Sequence, residues 1–474
     1  MYFLASLLLI VAFEISCCHG VIVDTNVGII TGFHENVTIE NETTTMSLFY
    51  GIPYGESTGG YNRFRKPIPK APFSEEFLAT DFSIACIQSS KLSEMLYQSY
   101  SNFTEDCLSL NVYVPHDLES HPILPVMVWI HGGGFTQGAA GAYKAEAFSA
   151  LGNVIVVTIN YRVGMFGFLR SLDGQLIGNQ ALWDQHLAIK WVHGNIGAFY
   201  GNPDDITIFG ESGGSVSSLY QAIYPGNKGL FTRVIAQSGL PTAYFGSQVS
   251  NAEHFIEQTK CAQNKTDALN CLLSLSPDEL HVDHGTLTSM PFRPTIDGDF
   301  VKGTPQEIIL GNDVAFSAER DFFGSLDIVF GVNNLEGGTF LTYSDKMSDD
   351  FSSDTFNMSR EIFDTMITYC IRTMVPHDGD IEEEVIRKLV EFTYIDWDQP
   401  DDLVSLRDGM VDVAGDITMV APNTATANAH AKLNAGKTYT YLFTAKPSQP
   451  ISPSAPKWLN GKSTLMFNTI YLLV

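Results

Sequence analysis

Basic residues are scarce in this 474-residue chain: 27 Lys and Arg stand against 53 Asp and Glu, a formal net charge of −26. No segment gathers the cations that would neutralise phosphates, which excludes a nucleic-acid partner and disfavours anionic membrane surfaces. The charge reads as a solubility feature. Long apolar runs are rare too. One, Phe3 to Phe13, opens the chain and gives way to small and polar residues. It is too short to span a bilayer and has the layout of a secretory signal peptide covering residues 1–20. The C-terminal LMFNTIYLLV (465–474) is likewise too short, and it lacks the spacer of a lipid-anchor signal. The mature chain is therefore expected to be secreted, or held in the secretory lumen, without a transmembrane segment. Internal repeats and low-complexity linkers are missing, so residues 21–474 read as one large domain, for whose core 45% hydrophobic residues suffice.

Five sequons agree with export: Asn36, Asn41, Asn102, Asn264 and Asn357 each precede Thr or Ser by two positions. Of seven cysteines, Cys17 and Cys18 fall in the signal. The other five are either buried thiols or two short-range bridges, Cys86 with Cys107 and Cys261 with Cys271, leaving Cys370 over. An oxidising compartment favours the bridges.

Runs continuous in Val and Ile, such as VMVWIH (126–131), VIVVTINY (154–161), DITIFG (205–210), RVIAQSG (233–239) and DIVFGV (327–332), predict strands buried on both faces. Helical spacing lies between them, as at Leu182, His186, Ile189 and Val192. Strand and helix alternation means an α/β fold around a mostly parallel sheet. Before residue 120, GIITGF and SLFYGIPY are short alternating segments expected to add antiparallel strands at one edge. Residues 341–400, acidic and helix-prone, read as a cap over the C-terminal edge of the sheet.

The chemistry begins at Gly210-x-Ser212-x-Gly214, directly after the strand DITIF and before the helical GSVSSLYQAIY. A serine on such a turn is driven into strained backbone angles, and the flanking glycines let strand and helix approach closely. Upstream, HGGGF (131–135) follows the strand VMVWI. Its glycines leave backbone N–H groups free to face a developing oxyanion, where one preorganised donor is worth about 3–4 kcal/mol. Glu336, in GVNNLEGG after a strand, has the place of an acid that follows the nucleophile in chain order.

With these motifs the chain resembles the type-B carboxylesterase and cholinesterase family of α/β-hydrolases. The resemblance also rests on GIPYG (51–55), TEDCLSLNVYVP (104–115), NYRVGMFGFL (160–169), GNQALWDQHLAIKWVHGNI (178–196), AQSG (236–239) and FGVNNLEGGTF (330–340). It implies that Ser212 is the nucleophile, that Gly133, Gly134 and Gly213 are the oxyanion donors, that Glu336 is the acid and that Glu211 has an electrostatic role. Alanine is usual in the family at Gly213, and the backbone N–H survives the change. The resemblance further implies an Arg63–Glu105 ion pair and the Cys86–Cys107 and Cys261–Cys271 bridges. It calls for no cofactor and no metal, and for a small carboxylic ester as substrate.

The base is missing from this pattern. A histidine oriented by Glu336 should take the serine proton and return it to the leaving group, yet only His377 and His430 follow Glu336. His377 lies in the acidic cap region and His430 in an ordinary helical stretch. Trp458 aligns with the tryptophan that precedes the family's histidine, and the matching position falls at about Ser463; Lys462 beside it reads as an exposed charge. The resemblance stops just past Trp458 and the chain stops at Val474, a domain incomplete at its C-terminus, as a changed reading frame, a retained intron or an alternative last exon would produce.

The expected function is a secreted serine carboxylic ester hydrolase working through an acyl-enzyme on Ser212, impaired in this chain by the missing histidine. The alternative is a catalytically silent binding or adhesion protein of the same family, although such relatives typically lose the serine that is kept here. A cholinesterase is disfavoured. Those relatives hold a quaternary ammonium on a tryptophan in the loop between the first two cysteines, whereas here only Tyr97 and Tyr100 stand in its place.

Overall fold

The computed structural model describes residues 20–88, 102–116, 123–171, 173–243, 255–257, 259–263, 267–280, 292–342, 356–374 and 382–445. Residues 1–19 of the expected signal segment, with Tyr97, Tyr100, Asn264, His377, Trp458, Lys462 and Ser463, lie outside the described residues.

An eleven-stranded sheet runs through the described chain. Its antiparallel end is made of β1 (Val21–Thr25), β2 (Gly28–Ile39), β3 (Glu42–Pro53) and, after the two-residue β4 (Phe77–Leu78), β5 (Ala85–Cys86) and β6 (Phe103–Thr104), of β7 (Ser109–Val114). The parallel part comprises β8 (Leu124–Ile130), β9 (Ile155–Ile159), β10 (Gly201–Glu211), β11 (Arg233–Gln237), β12 (Asp327–Asn333) and β13 (Thr438–Phe443). The spatial order is β1-β2-β3-β7-β9-β8-β10-β11-β12-β13, with β4 beside β2; β5 and β6 form a small separate pair. The expected strands and the antiparallel edge are both present. One detail differs: Met46 to Tyr50 of β3 are buried in succession, not alternately, because β3 is an interior strand between β2 and β7.

The sheet positions the site through its topology. The chain passes from β8 outward to β9 and then back to β10 on the other side of β8, so the segments leaving β8 and β10 emerge side by side. Sites in open α/β sheets form at such a reversal, at the carboxyl ends of the strands. Helix α1 (Gln180–Asn195) covers one face, burying Leu182, Ile189 and Val192, and Asp184 on it meets Arg162 in a fully buried bidentate pair at 2.6 and 2.7 Å. Helix α2 (Gly213–Ile223) follows β10 and is almost wholly buried although rich in serine. Its serines are hydrogen-bonded: Ser215 donates to the Gly239 carbonyl at 2.6 Å, Ser218 to the Gly214 carbonyl at 2.8 Å, and Ser217 accepts from Gln185 at 3.0 Å.

Helix α3 (Ser317–Ser325) precedes β12 and α4 (Glu336–Thr342) follows it. The cap contains α5 (Arg360–Met374), α6 (Glu383–Tyr394) and α7 (Leu403–Gly415), a longer helical region than 341–400. It has an apolar core of its own, built from Leu341, Phe363, Met366, Ile367, Met410 and Val413. Helix α8 (Ala421–Leu433) then returns the chain to β13. Among the described residues no helix is long and apolar enough to cross a membrane. Cys86 is joined to Cys107 and Cys261 to Cys271, and Cys370 is a buried free thiol. Arg63 grips both carboxylate oxygens of Glu105 at 2.6 and 2.7 Å and donates to the Leu272 and Leu275 carbonyls.

Candidate active site

Ser212 stands between β10 and α2 with φ +54° and ψ −123°, half-buried. A non-glycine residue reaches positive φ only when its surroundings impose it, and here they do. A Cβ on Gly210 would lie 2.5 Å from the Ile130 carbonyl oxygen, and one on Gly214 would overlap that same oxygen. Strand β8, β10 and the first turn of α2 therefore touch backbone to backbone, which only glycines allow. The Ser212 N–H is spent on the Gln237 carbonyl at 2.9 Å, fixing the turn to the end of β11.

The loop after β8 folds against this turn. Gly133 and Gly134 have φ of +104° and +61°, and a Cβ on Gly133 would overlap the Gln137 carbonyl. The position a Cβ on Gly213 would take lies 3.4 Å from the backbone nitrogens of Gly134 and of Phe135. Gly134 and Gly213 are thus brought together from two separate segments, at the N-terminal end of α2 where partial positive charge gathers. Phe135, itself at φ +64°, was not singled out in the sequence. His131 faces away from proton-transfer duty: its ring stacks on Tyr161 at 4.1 Å, Nδ1 meets the Gly132 carbonyl at 2.9 Å, and burial lowers its pKa to about 4.

Glu336 begins α4 and is almost wholly buried. One oxygen, Oε1, accepts from Ser238 Oγ at 2.6 Å and from the Asn333 N–H at 2.7 Å, while Oε2 has no partner among the described residues. Ser238, at φ +52° just past β11, and Asn333 were missed as site residues, although AQSG and GVNN both lie in quoted motifs. Burial pushes the Glu336 pKa up to about 7, against the pull of these donors. Helix α4 is held by close approach: a Cβ on Gly337 would overlap the Val411 carbonyl and lie 2.6 Å from the Gly415 nitrogen of α7. Glu211, next to Ser212, is also buried, and its pKa is raised well above the carboxylate range by burial and by the nearby Glu336 charge. Two buried carboxyl groups of like charge resist double ionisation.

His430 is removed from this chemistry. It is fully buried on α8, with Nδ1 at 2.7 Å from Thr438 Oγ1, Nε2 at 3.1 Å from the Phe323 carbonyl, and its ring packed on Phe323 and Phe330. Asn36, Asn41, Asn102 and Asn357 are exposed.

The sequence profile of the Carboxylesterase family matches residues 19–472. The chain belongs to the carboxylesterase family. The match runs beyond Trp458, where the motif reading ends. Curated relatives include the acetylcholinesterase of Bungarus fasciatus, 34% identical over 438 residues that make up 86% of this chain and 67% of that protein. The acetylcholinesterase of Danio rerio is 34% identical over 447 residues, 88% of this chain and 64% of the relative. The bile salt-activated lipase of Bos taurus is 32% identical over 460 residues, 92% of this chain and 71% of the lipase. This carboxylesterase-family chain spans about two thirds of the length of the curated relatives it matches.

Proposed function

We propose that the protein is a serine carboxylic ester hydrolase of the secretory pathway that works through an acyl-enzyme on Ser212. In this reading Ser212 Oγ attacks the ester carbonyl carbon, and the N–H groups of Gly133, Gly134 and Gly213 receive the oxyanion. The alcohol leaves with the serine proton, and water then releases the carboxylic acid. The observation that carries the reading is the elbow: an accessible serine forced to positive φ beside backbone nitrogens supplied by two different loops. Exposed sequons at Asn36, Asn41, Asn102 and Asn357 and the two disulfides favour passage through the secretory pathway.

A second reading, a non-catalytic binding member of the family, is favoured by the histidine inventory. His430 is committed to the core, and His377, the other histidine that follows Glu336 in this sequence, lies outside the described residues. A triad without one member retains a residual acceleration of about 10³–10⁴ over water, so the first reading expects slow turnover. The deciding experiment is labelling of the purified chain with a fluorophosphonate, read by mass on the Ser212 peptide, alongside hydrolysis of a simple aryl ester. Adduct formation and ester cleavage that both vanish in Ser212→Ala support the hydrolase. A folded protein that neither labels nor cleaves supports the binding reading. Choline esters should be poor substrates, because no tryptophan lies between Cys86 and Cys107; efficient acetylcholine turnover would contradict this.

A further inference from the structure

Strand register places four residues in one row across the sheet. Glu211 of β10 pairs with Gln237 of β11, Gln237 with Gly331 of β12, and Gly331 with Tyr441 of β13. In-register neighbours of a parallel sheet point to the same face. Gly331 has no side chain to fill the gap, and the Tyr441 ring occupies that place: a Cβ on Gly331 would overlap the phenol. The edge-strand tyrosine thus reaches inward over β12 toward Gln237.

Four oxygens at this place are buried and lack a well-directed hydrogen bond among the described residues: Glu211 Oε1, Gln237 Oε1, Tyr441 Oη and Glu336 Oε2. Buried polar atoms are rarely left so. Burial, helped by the charges of Glu336 and Glu211, pushes the Tyr441 phenol up and keeps it protonated, while the Gln237 carboxamide, facing it within hydrogen-bond reach, pulls the other way. We propose that Tyr441 is a positioning residue for the nucleophile, closing a row of hydrogen bonds from Glu211 through Gln237 and Tyr441 to Glu336. In this row the Glu211 carboxyl proton is donated to Gln237 Oε1, Gln237 Nε2 donates to Tyr441 Oη, and the phenol donates to Glu336 Oε2. All four orphaned oxygens are then satisfied by one proton on Glu211, and the single negative charge of the pair resides on Glu336.

The consequence for Ser212 is direct. Glu211 is its chain neighbour, and the Gln237 carbonyl holds its N–H. A neutral Glu211 keeps negative charge away from the place where the oxyanion of the proposed ester hydrolysis would form, so the functional part of the inference rests on that reading. The titratable groups that meet here are Glu211 on β10, Glu336 after β12 and Tyr441 on β13; His131, after β8, is kept neutral by burial.

The test uses Tyr441→Phe, which keeps the ring over Gly331 and deletes only the hydroxyl, and Gln237→Met, which breaks the row at its middle. Infrared spectroscopy of the full chain at neutral pH reports the protonated carboxyl of Glu211, assigned by its loss in Glu211→Gln. That band is expected to shift or vanish in both variants, while thermal unfolding and circular dichroism of Tyr441→Phe stay close to the parent. The pH midpoint of Ser212 labelling by a fluorophosphonate is expected to rise by about one unit in Tyr441→Phe, the order of a lost hydrogen bond to a charged group. A carboxyl band unchanged in Tyr441→Phe, or absent from the parent, overturns the proposal. Because the band does not require turnover, a shifted band with an unreactive Ser212 sustains the row and rejects only the hydrolase reading.

Discussion

Glu336→Gln should stabilise the protein, and increasingly so as the pH rises. Glu336 is 4% exposed, and its two bonds, from Ser238 Oγ and the Asn333 N–H, both fall on Oε1. A glutamine keeps a carbonyl oxygen for those donors and carries no charge. Burial raises the folded pKa from an ordinary value of 4.5 to about 7. Below pH 4.5 the group is protonated in both the folded and the unfolded chain, and ionisation costs nothing. Between 4.5 and 7 the unfolded chain ionises first and is favoured, so stability falls through that window and levels off above it. At 1.36 kcal/mol per pH unit the interval corresponds to about 3 kcal/mol lost by the parent and not by the variant. Urea unfolding of both proteins at a series of pH values from 4 to 8 measures the difference. It should grow with pH by about 3 kcal/mol. A difference that stays flat, or one in which the parent gains on the variant above pH 5, refutes the burial argument and implies a cationic partner for Oε2 at the site.

Other substitutions test the elbow and the core. Gly214→Ala drives a methyl into the Ile130 carbonyl oxygen, and overpacking of this kind should cost at least about 1–3 kcal/mol in denaturant unfolding. Gly213→Ala, whose methyl would sit 3.4 Å from the Gly134 and Phe135 nitrogens, should change stability by no more than about 0.5 kcal/mol and leave Ser212 labelling intact. Arg162→Ala leaves the fully buried Asp184 carboxylate without its partner, and thermal unfolding should register a loss of about 3–5 kcal/mol.

The sequence made the sheet and the elbow legible because both depend on local signals. Continuous Val and Ile runs mark strands buried on two faces, and β9 is buried at every position. G-x-S-x-G and HGGGF carry their glycines where two backbones must touch, and the Cβ overlaps at Gly133, Gly210 and Gly214 are the physical content of those motifs. What the sequence hid depends on register. Ser238 and Glu336 are 98 positions apart, yet their 2.6 Å bond follows from β11 lying beside β12. The row from Glu211 to Tyr441 joins four strands whose alignment no spacing along the chain reveals. Tyr441 reads in sequence as one aromatic among the alternating residues of TYTYLF, and only the bare Gly331 opposite turns it inward.

The division between local and register-dependent signals also explains why Glu336 and Ser212 are so differently secured. Ser212 is held by backbone alone: the turn between β10 and α2, the Ile130 carbonyl of β8 pressed against Gly210 and Gly214, and the Gln237 carbonyl of β11 on its N–H. Glu336 is held by three separate parts: Ser238 from the segment just past β11, Asn333 at the end of β12, and the close approach of Gly337 to Val411 and Gly415 in the cap. Its second oxygen has no partner among the described residues. In the proposed row that oxygen takes the Tyr441 phenol, so both ends of the carboxylate depend on elements outside its own helix, and Glu336 is the part of the site most sensitive to how the cap and the end of the sheet are assembled. Loosening the cap at Gly337 should therefore shift the Glu336 ionisation while leaving the Ser212 turn in place. Gly337→Ala tests this through the pH dependence of unfolding, and a variant whose stability profile matches the parent at every pH would mean that the cap does not position Glu336.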